Sequence, residues 1–263
     1  MKRIFPLILL MLLCLPALAC GSFTTNFVKG SGDVVTPAFD VKGFDRVILE
    51  GFGDVYVEQG QAESLSVQTD SNILLLLDIK VRGNELILGI KPGFDLSPSE
   101  SITYNLTVKD LNRVTLAGSG NFYVEPVKSN NLAVSILGSG NIEIKGINAN
   151  TLSIDLNGSG NITLEDINAK GADASLRGSG DIKLEGNAGA QTITISGSGN
   201  YLAGNLQTDT TSVSVPGSGG VTVWANDELN VRVSGSGDIQ YYGKPTVDQN
   251  ISGSGNITSL GNK

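Results

Sequence analysis

From residue 111 onward, apolar and polar residues alternate on both sides of a short recurring turn. Two places before each turn stand Leu116, Ile136, Leu156, Leu176, Ile195, Val215, Val233 and Ile251. Just beyond it stand Phe122, Ile142, Ile162, Ile182, Tyr201, Val221, Ile239 and Ile257, and two places further Val124, Ile144, Leu164, Leu184, Ala203, Val223, Tyr241 and Ser259. Period-two alternation flanking a turn marks strands with one buried face. Each unit therefore reads as strand, turn, strand and a second bend.

The turn is Gly-Ser-Gly every time. Its glycines are Gly118 and Gly120, Gly138 and Gly140, Gly158 and Gly160, Gly178 and Gly180, Gly197 and Gly199, Gly217 and Gly219, Gly235 and Gly237, and Gly253 and Gly255. The first glycines are spaced by 20, 20, 20, 19, 20, 18 and 18 residues. A near-constant period of this size signals a repeat architecture. Two physical reasons favour glycine there: it reaches positive φ at no steric cost, and it lets neighbouring backbones approach closely. The next position reads Asn121, Asn141, Asn161, Asp181, Asn200, Gly220, Asp238 and Asn256. No two Asp are neighbours, as expected if the column stacks at the strand spacing of ~4.8 Å, where Asn side chains form an amide ladder.

Three architectures share this period. A β-meander would make each triplet a hairpin turn, but gives no reason for one turn sequence to recur. An outer-membrane barrel would need aromatic girdles, which this chain lacks. A parallel β-helix puts identical residues directly over one another and explains the recurrence. The expected fold is thus all-β, a parallel solenoid with Gly-Ser-Gly turns.

Upstream the pattern loosens. Arg46 to Glu50, Asp54 to Glu58, Ser64 to Val67 and Glu85 to Leu88 alternate as strands. The wholly apolar Ile73 to Leu77 is open to a buried strand or a helical turn. Gly51-Phe52-Gly53-Asp54 is a degenerate form of the turn, which points to coils already starting there, and residues 91–102 read as the clearest loop. The organisation expected is a signal segment (1–19), a lipid-anchor tether (20–33), an N-terminal β segment or cap (34–110) and the repeat solenoid (111–263).

The signal segment has Lys2 and Arg3, an apolar run from Ile4 to Leu15 and a small-x-small end, Ala17-Leu18-Ala19. Such a run is too short for a permanent span and marks export. The following Cys20 resembles a lipobox cysteine, although Ala17 and Leu18 depart from the usual order, and ordinary signal-peptidase cleavage stays open. Cys14 lies in the signal, so Cys20 is the lone mature thiol and no intrachain disulfide can form. Lipidation at Cys20 would tether the protein to a membrane of the cell envelope; otherwise it would be periplasmic or secreted. The formal charge of −8 argues against nucleic acid or an anionic membrane surface as partner.

Two stretches carry a family resemblance: Gly43-Phe44-Asp45-Arg46-Val47 and Gly51-Phe52-Gly53-Asp54-Val55-Tyr56-Val57. Together with the Gly-Ser-Gly-Asn/Asp series, they resemble the head GIN domain family of auto-transporter adhesins over residues 34–258. The resemblance implies a right-handed, pectin-lyase-like parallel β-helix outside the cytoplasm, often lipid-anchored, with an adhesive role. It brings no binding residues to carry over. An auto-transporter also needs a C-terminal translocating barrel, and nothing after Ser252 has the pattern for one, so self-export by that route is not expected.

Candidate chemistry is sparse. The chain has no His, which removes Ser-His-Asp triads, Cys-His dyads and histidine metal ligands. Glu143 and Glu165 are the one carboxylate pair to weigh against a solvated face of alternating charges. Neutral Asn is a poor Ca²⁺ ligand, so the turns read as structural. No metal, cofactor or catalytic residue is expected. Trp224 and Tyr242, on the face opposite Val223 and Tyr241, are the candidate ligand-contact aromatics, for a surface glycan or protein. A structural protein that self-associates through solenoid ends or faces is the second class left open, and a carbohydrate-active β-helix enzyme a remote third.

Overall fold

A computed structural model describes residues 25–263. The signal segment and Cys20 lie outside the described residues. Parallel coils stack into a β-solenoid of about seven turns. The stacking is in register, position by position. Leu116 lies beside Ile136, Ile136 beside Leu156, Leu156 beside Leu176, and Leu176 beside Ile195. After the turn, Phe122, Ile142, Ile162, Ile182, Tyr201, Val221, Ile239 and Ile257 form a second continuous column. Nearly all of these side chains are buried, and they build one aliphatic core running the length of the stack.

The glycine turns show which of the two physical reasons applies. None of the sixteen triplet glycines has a φ in the left-handed region. Close approach is the cause. A Cβ on Gly158 would sit 1.9 Å from the carbonyl oxygen of Gly138, and one on Gly160 would sit 1.6 Å from that of Gly140. That carbonyl is also the acceptor that ties the coils together. The Ser139 N–H donates to Gly118 at 3.1 Å, Ser159 to Gly138 at 3.2 Å and Ser179 to Gly158 at 3.2 Å. Each glycine thus abuts the coil before it.

The Asn column is a hydrogen-bonded ladder. Asn121 Oδ1 accepts both the backbone N–H of Asn141 at 3.2 Å and its side-chain amide at 3.0 Å, and Asn141 does the same for Asn161. Asp181 fits because its backbone N–H donates to Asn161 while its carboxylate accepts twice from Asn200. Gly220 keeps only the backbone link, to Asn200.

The coils begin upstream of residue 111. Arg46–Leu49 and Asp54–Gln59, joined by Gly51-Phe52-Gly53, lie directly under Arg113–Leu116 and Asn121–Val124. On their other side lie Glu85–Ile90 and Thr103–Val108, also parallel. The stack then ends on antiparallel neighbours: Leu77–Arg82 runs against Glu85–Ile90, and Ser64–Asp70 against Thr103–Val108. Ser71–Leu74 is one helical turn that leads into Leu77–Arg82. Antiparallel strands cannot template another parallel coil, so they close this end, as a solenoid terminus requires.

Two expectations change here. The tether expected over 20–33 is not free in its described part: Asn26–Lys29 is a strand, paired in parallel with Phe94–Ser97. That strand in turn occupies the stretch 91–102 read as loop. The clamp is Asp70, fully buried. Its carboxylate accepts from the Gly32 N–H at 2.7 Å, the Ser99 N–H at 2.8 Å and the Ser99 hydroxyl at 2.6 Å. The Ser99 hydroxyl, then the backbone N–H groups, hold its pKa below the ordinary Asp range. Asn72 adds a second tie, its side chain accepting from the Ser31 N–H and donating to the Lys29 carbonyl, both at 2.9 Å. Asn26–Lys29 itself lacks the alternation of a core strand.

Candidate binding surface

Register carries every outward residue into a column as well. One column on the wall after the turn reads Asn105, Tyr56, Tyr123, Glu143, Thr163, Lys183, Leu202, Thr222, Gln240 and Thr258. On the wall before the turn, short side chains dominate: Ala133, Ser153, Asp173, Thr192, Ser212 and Asn230 lie side by side. These walls are solvent-facing lattices with rows ~4.8 Å apart.

The carboxylates weighed from sequence do not meet as a pair. Glu143 lies beside Thr163, whereas Glu165 lies beside Lys145. Lys145 stands between the two, 3.2 Å from Glu143. Its ammonium pKa is raised, first by the hydrogen bond to Glu143 and then by its charge. Such an alternating ion row is a solvated face that aids stacking.

Trp224 and Tyr242 do come together. They are register partners at the end of a column that runs Asn148, Asn168, Asn187, Gln207. Both rings are half-buried, and the Lys263 ammonium lies 5.7 Å from the centroid of one and 4.9 Å from that of the other. Lys263 is held there by the Gly204 carbonyl at 2.7 Å and by the Asn205 side chain. This cation–π contact already engages both rings within the chain itself.

The exposed aromatic pair is elsewhere, at Tyr56 and Tyr123. Their rings stack with centroids 5.0 Å apart and an interplanar angle of 19°. They are 47% and 37% exposed. Beside them opens a cleft of about 280 Å³, floored by Val57 and Leu106 and rimmed by Glu58, Glu125, Asn105, Thr107, Ser64 and Ser66. Ser64 Oγ donates to Thr107 Oγ1 at 3.1 Å, and Thr107 donates to Glu58 at 2.9 Å. Partial burial, then the charges of Asp54, Tyr56 and Glu143, push the Tyr123 phenol pKa up, so both the ring and its O–H stay neutral.

Sequence reasoning passed over this pair because 67 positions separate its members, and the coil 85–108 that lies between them in the chain stacks on the far side of Tyr56. One signal was available. Aligning Gly51-Phe52-Gly53 on Gly118-Ser119-Gly120 places Tyr56 on Tyr123.

A second depression of about 750 Å³ lies at the bend and is wholly different in character. It is lined by Asp45, Lys109, Asn112, Lys128, Asn130 and Asn148 among others. Asp45 there accepts side-chain amides from Asn84 at 2.6 Å and Asn112 at 2.7 Å, so its carboxylate is already engaged.

The profile of a family described as "Putative auto-transporter adhesin, head GIN domain" matches residues 43–245. No curated protein matches the chain significantly. Among solved structures, one described as a "putative lipid binding protein" from Parabacteroides distasonis is 28% identical. It superposes with a TM-score of 0.84 over 89% of this chain and 100% of its own. A "putative adhesin" from Bacteroides fragilis is 25% identical, with a TM-score of 0.69 over 89% of this chain and 100% of its own. Another from Parabacteroides merdae, 24% identical with a TM-score of 0.80 over 90% and 100%, shares the fold.

Proposed function

We propose a function on one premise: the chain belongs to the auto-transporter adhesin, head GIN domain, family. On that premise it is a non-catalytic surface-binding module of the bacterial cell envelope, exported by residues 1–19 and anchored by a lipid on Cys20. The observation that carries the reading is the outer wall. Columns of short, hydrogen-bonding side chains stand in register along the stack and face solvent, which suits many weak contacts strengthened by display of many copies.

Catalysis finds little support in the same residues. With no histidine in the chain, proton transfer would fall to carboxylates, and Lys145 separates Glu143 from Glu165. Lipid binding, suggested by the name of one relative, would need an apolar sleeve for an acyl chain. The space inside the coils is occupied by the buried aliphatic columns, so a wall contact is the better fit.

Protease shaving of intact cells tests the reading. Loss of the protein from unpermeabilised cells is expected; protection until the membrane is permeabilised would contradict it. Mass spectrometry of the mature N-terminus tests the anchor separately: a diacylated Cys20 is expected, and an unmodified terminus would refute it.

A further inference from the structure

We infer that the cleft beside Tyr56 and Tyr123 binds an uncharged pyranose unit of an extended glycan, a site that rests on the surface-binding reading and names its ligand class.

The fold does not need tyrosine at either position. Other coils fill the same column with Glu143, Thr163, Thr222 and Gln240. The large aromatics Tyr104, Phe122 and Tyr201 point inward and are fully buried. Tyr56 and Tyr123 instead place apolar ring surface in water, flanked along the chain by Asp54 and Glu58 and by Asn121 and Glu125 respectively.

Stacking the two rings restricts both and makes a rigid wall. Within the column, Tyr123 covers one face of Tyr56, and Asn105 lies on the other side. Asn105 and its own neighbour Ser66 are short, so the second face of Tyr56 rises over a lower step. A flat ring face above a polar step is what a pyranose requires. Its axial C–H groups pack on the ring, and its equatorial hydroxyls need donors and acceptors around their edge. Asn105 supplies both kinds, as do Ser64, Ser66 and Thr107, while Glu58 and Glu125 supply strong acceptors. The hydrogen bonds from Ser64 to Thr107 and from Thr107 to Glu58 hold that rim in place before any ligand arrives. The volume, near the lower limit of about 300 Å³ for small-ligand sites, suits one or two rings.

Charge sets the specificity. The lining holds two carboxylates and neither Lys nor Arg. A uronate, sialate or sulfated sugar would bring like charge against Glu58 and Glu125 with no cation to offset it. Neutral sugars meet no such penalty.

Isothermal titration of the full-length protein with cellohexaose, mannohexaose, xylohexaose and hexagalacturonate tests the site. At least one neutral hexaose should bind, and hexagalacturonate should not. Tyr56→Ala should weaken that binding by about tenfold or more, since it removes the stacking face. Tyr56→Phe should stay within about threefold, because the face remains. Trp224→Ala, on the pair that Lys263 engages, should leave affinity unchanged. Equal melting temperatures would show that these surface variants fold. Failure of every neutral hexaose to bind, indifference to Tyr56→Ala, or tighter binding of hexagalacturonate would each overturn the proposal. Protease shaving involves no sugar, so a surface-exposed protein that binds no neutral hexaose would sink the cleft and leave the surface-binding reading standing.

Discussion

The regular coils after residue 111 and the irregular segment before it share one core but solve different problems. In the regular stack every coil is parallel, every turn is Gly-Ser-Gly, and the outward columns are made mostly of short or charged side chains. Repetition supplies stiffness there, because each coil is held by the same hydrogen bonds as its neighbours. In the first segment the repeat breaks. Antiparallel strands close the end, a buried carboxylate ties Gly32 to Ser99 just past the Asn26–Lys29 strand, and Tyr56 turns outward against Tyr123 of the first regular coil to frame a cleft. A perfect repeat places the same residues at every level and so cannot build a unique concave site; a defect in it can.

The largest test of that contrast is a clash inside the stack. Gly158→Val would drive a side chain into the Gly138 carbonyl, already 1.9 Å from an added Cβ. A loss of more than about 4 kcal/mol, or failure to fold, is expected from thermal melting. The clash falls on the preceding coil alone, so the following coils must ride with the displaced one. Gly253→Val meets the Gly235 carbonyl at 1.8 Å, but the short terminal coil can lift away with little above it. Its melting penalty should be distinctly smaller. Equal penalties would mean that the turns act locally and not through the stack.

A middle-sized effect is expected within the core. Gln191, buried, donates to Thr208 at 3.2 Å and Thr211 at 3.1 Å, and accepts from the Tyr201 hydroxyl at 2.9 Å. Burial, with a smaller contribution from Asp173, raises the Tyr201 phenol pKa far above its ordinary value, so it remains a donor. Gln191→Leu strands that donor and should cost about 1–3 kcal/mol in denaturant unfolding. Adding Tyr201→Phe removes the stranded group and should recover part of the loss.

A local effect belongs to the irregular end. Asp70→Ala should raise amide exchange over 26–29 and 94–97 while leaving the regular coils protected. The pH dependence has a definite sign. The folded pKa is depressed, so the clamp contributes fully above the ordinary Asp value of about 3.9 and is lost as pH falls through the lower folded value. Protection factors in these strands, corrected for the intrinsic pH dependence of amide exchange, should not change between pH 7 and pH 5 and should fall only below about pH 4. Opening at pH 5 to 6 would mean that another group holds the strand. The smallest effect is expected at Arg177, whose Nη2 donates to both carboxylate oxygens of Asp155 at 2.7 Å on the exposed wall. Arg177→Ala should cost at most about 1 kcal/mol, less at high salt.

The regular half of the fold was legible because its physics is local and repeated. Alternation fixed the inward columns, and a constant turn fixed the register, down to Gly51-Phe52-Gly53 as an early turn. The reason for glycine was only half legible, since close backbone approach and positive φ call for the same residue. The N-terminal segment was legible as an irregular β cap, but its antiparallel pairing was not, because antiparallel and parallel strands alternate alike in sequence. Asn26–Lys29 and Phe94–Ser97 look like tether and loop until they pair with each other, with Asp70 tying Gly32 to Ser99 just beyond their ends. The aromatic candidates named from local clustering, Trp224 and Tyr242, are engaged by Lys263. Tyr56 and Tyr123 became neighbours only through a chain path that leaves the stack and returns to it.

If the glycan cleft sits where the repeat breaks, and the regular wall is left to weaker contacts, the residues that respond most to a neutral hexaose should be few and adjacent. Backbone amide chemical shifts of isotopically labelled protein, followed while a neutral hexaose is added, measure this directly. The largest shifts are expected at Tyr56, Asn105, Thr107 and Tyr123, with Thr163, Thr222 and Thr258 of the same column nearly still. Shifts centred on the regular columns, or on Trp224 and Tyr242, with Tyr56 and Tyr123 unmoved, would contradict it.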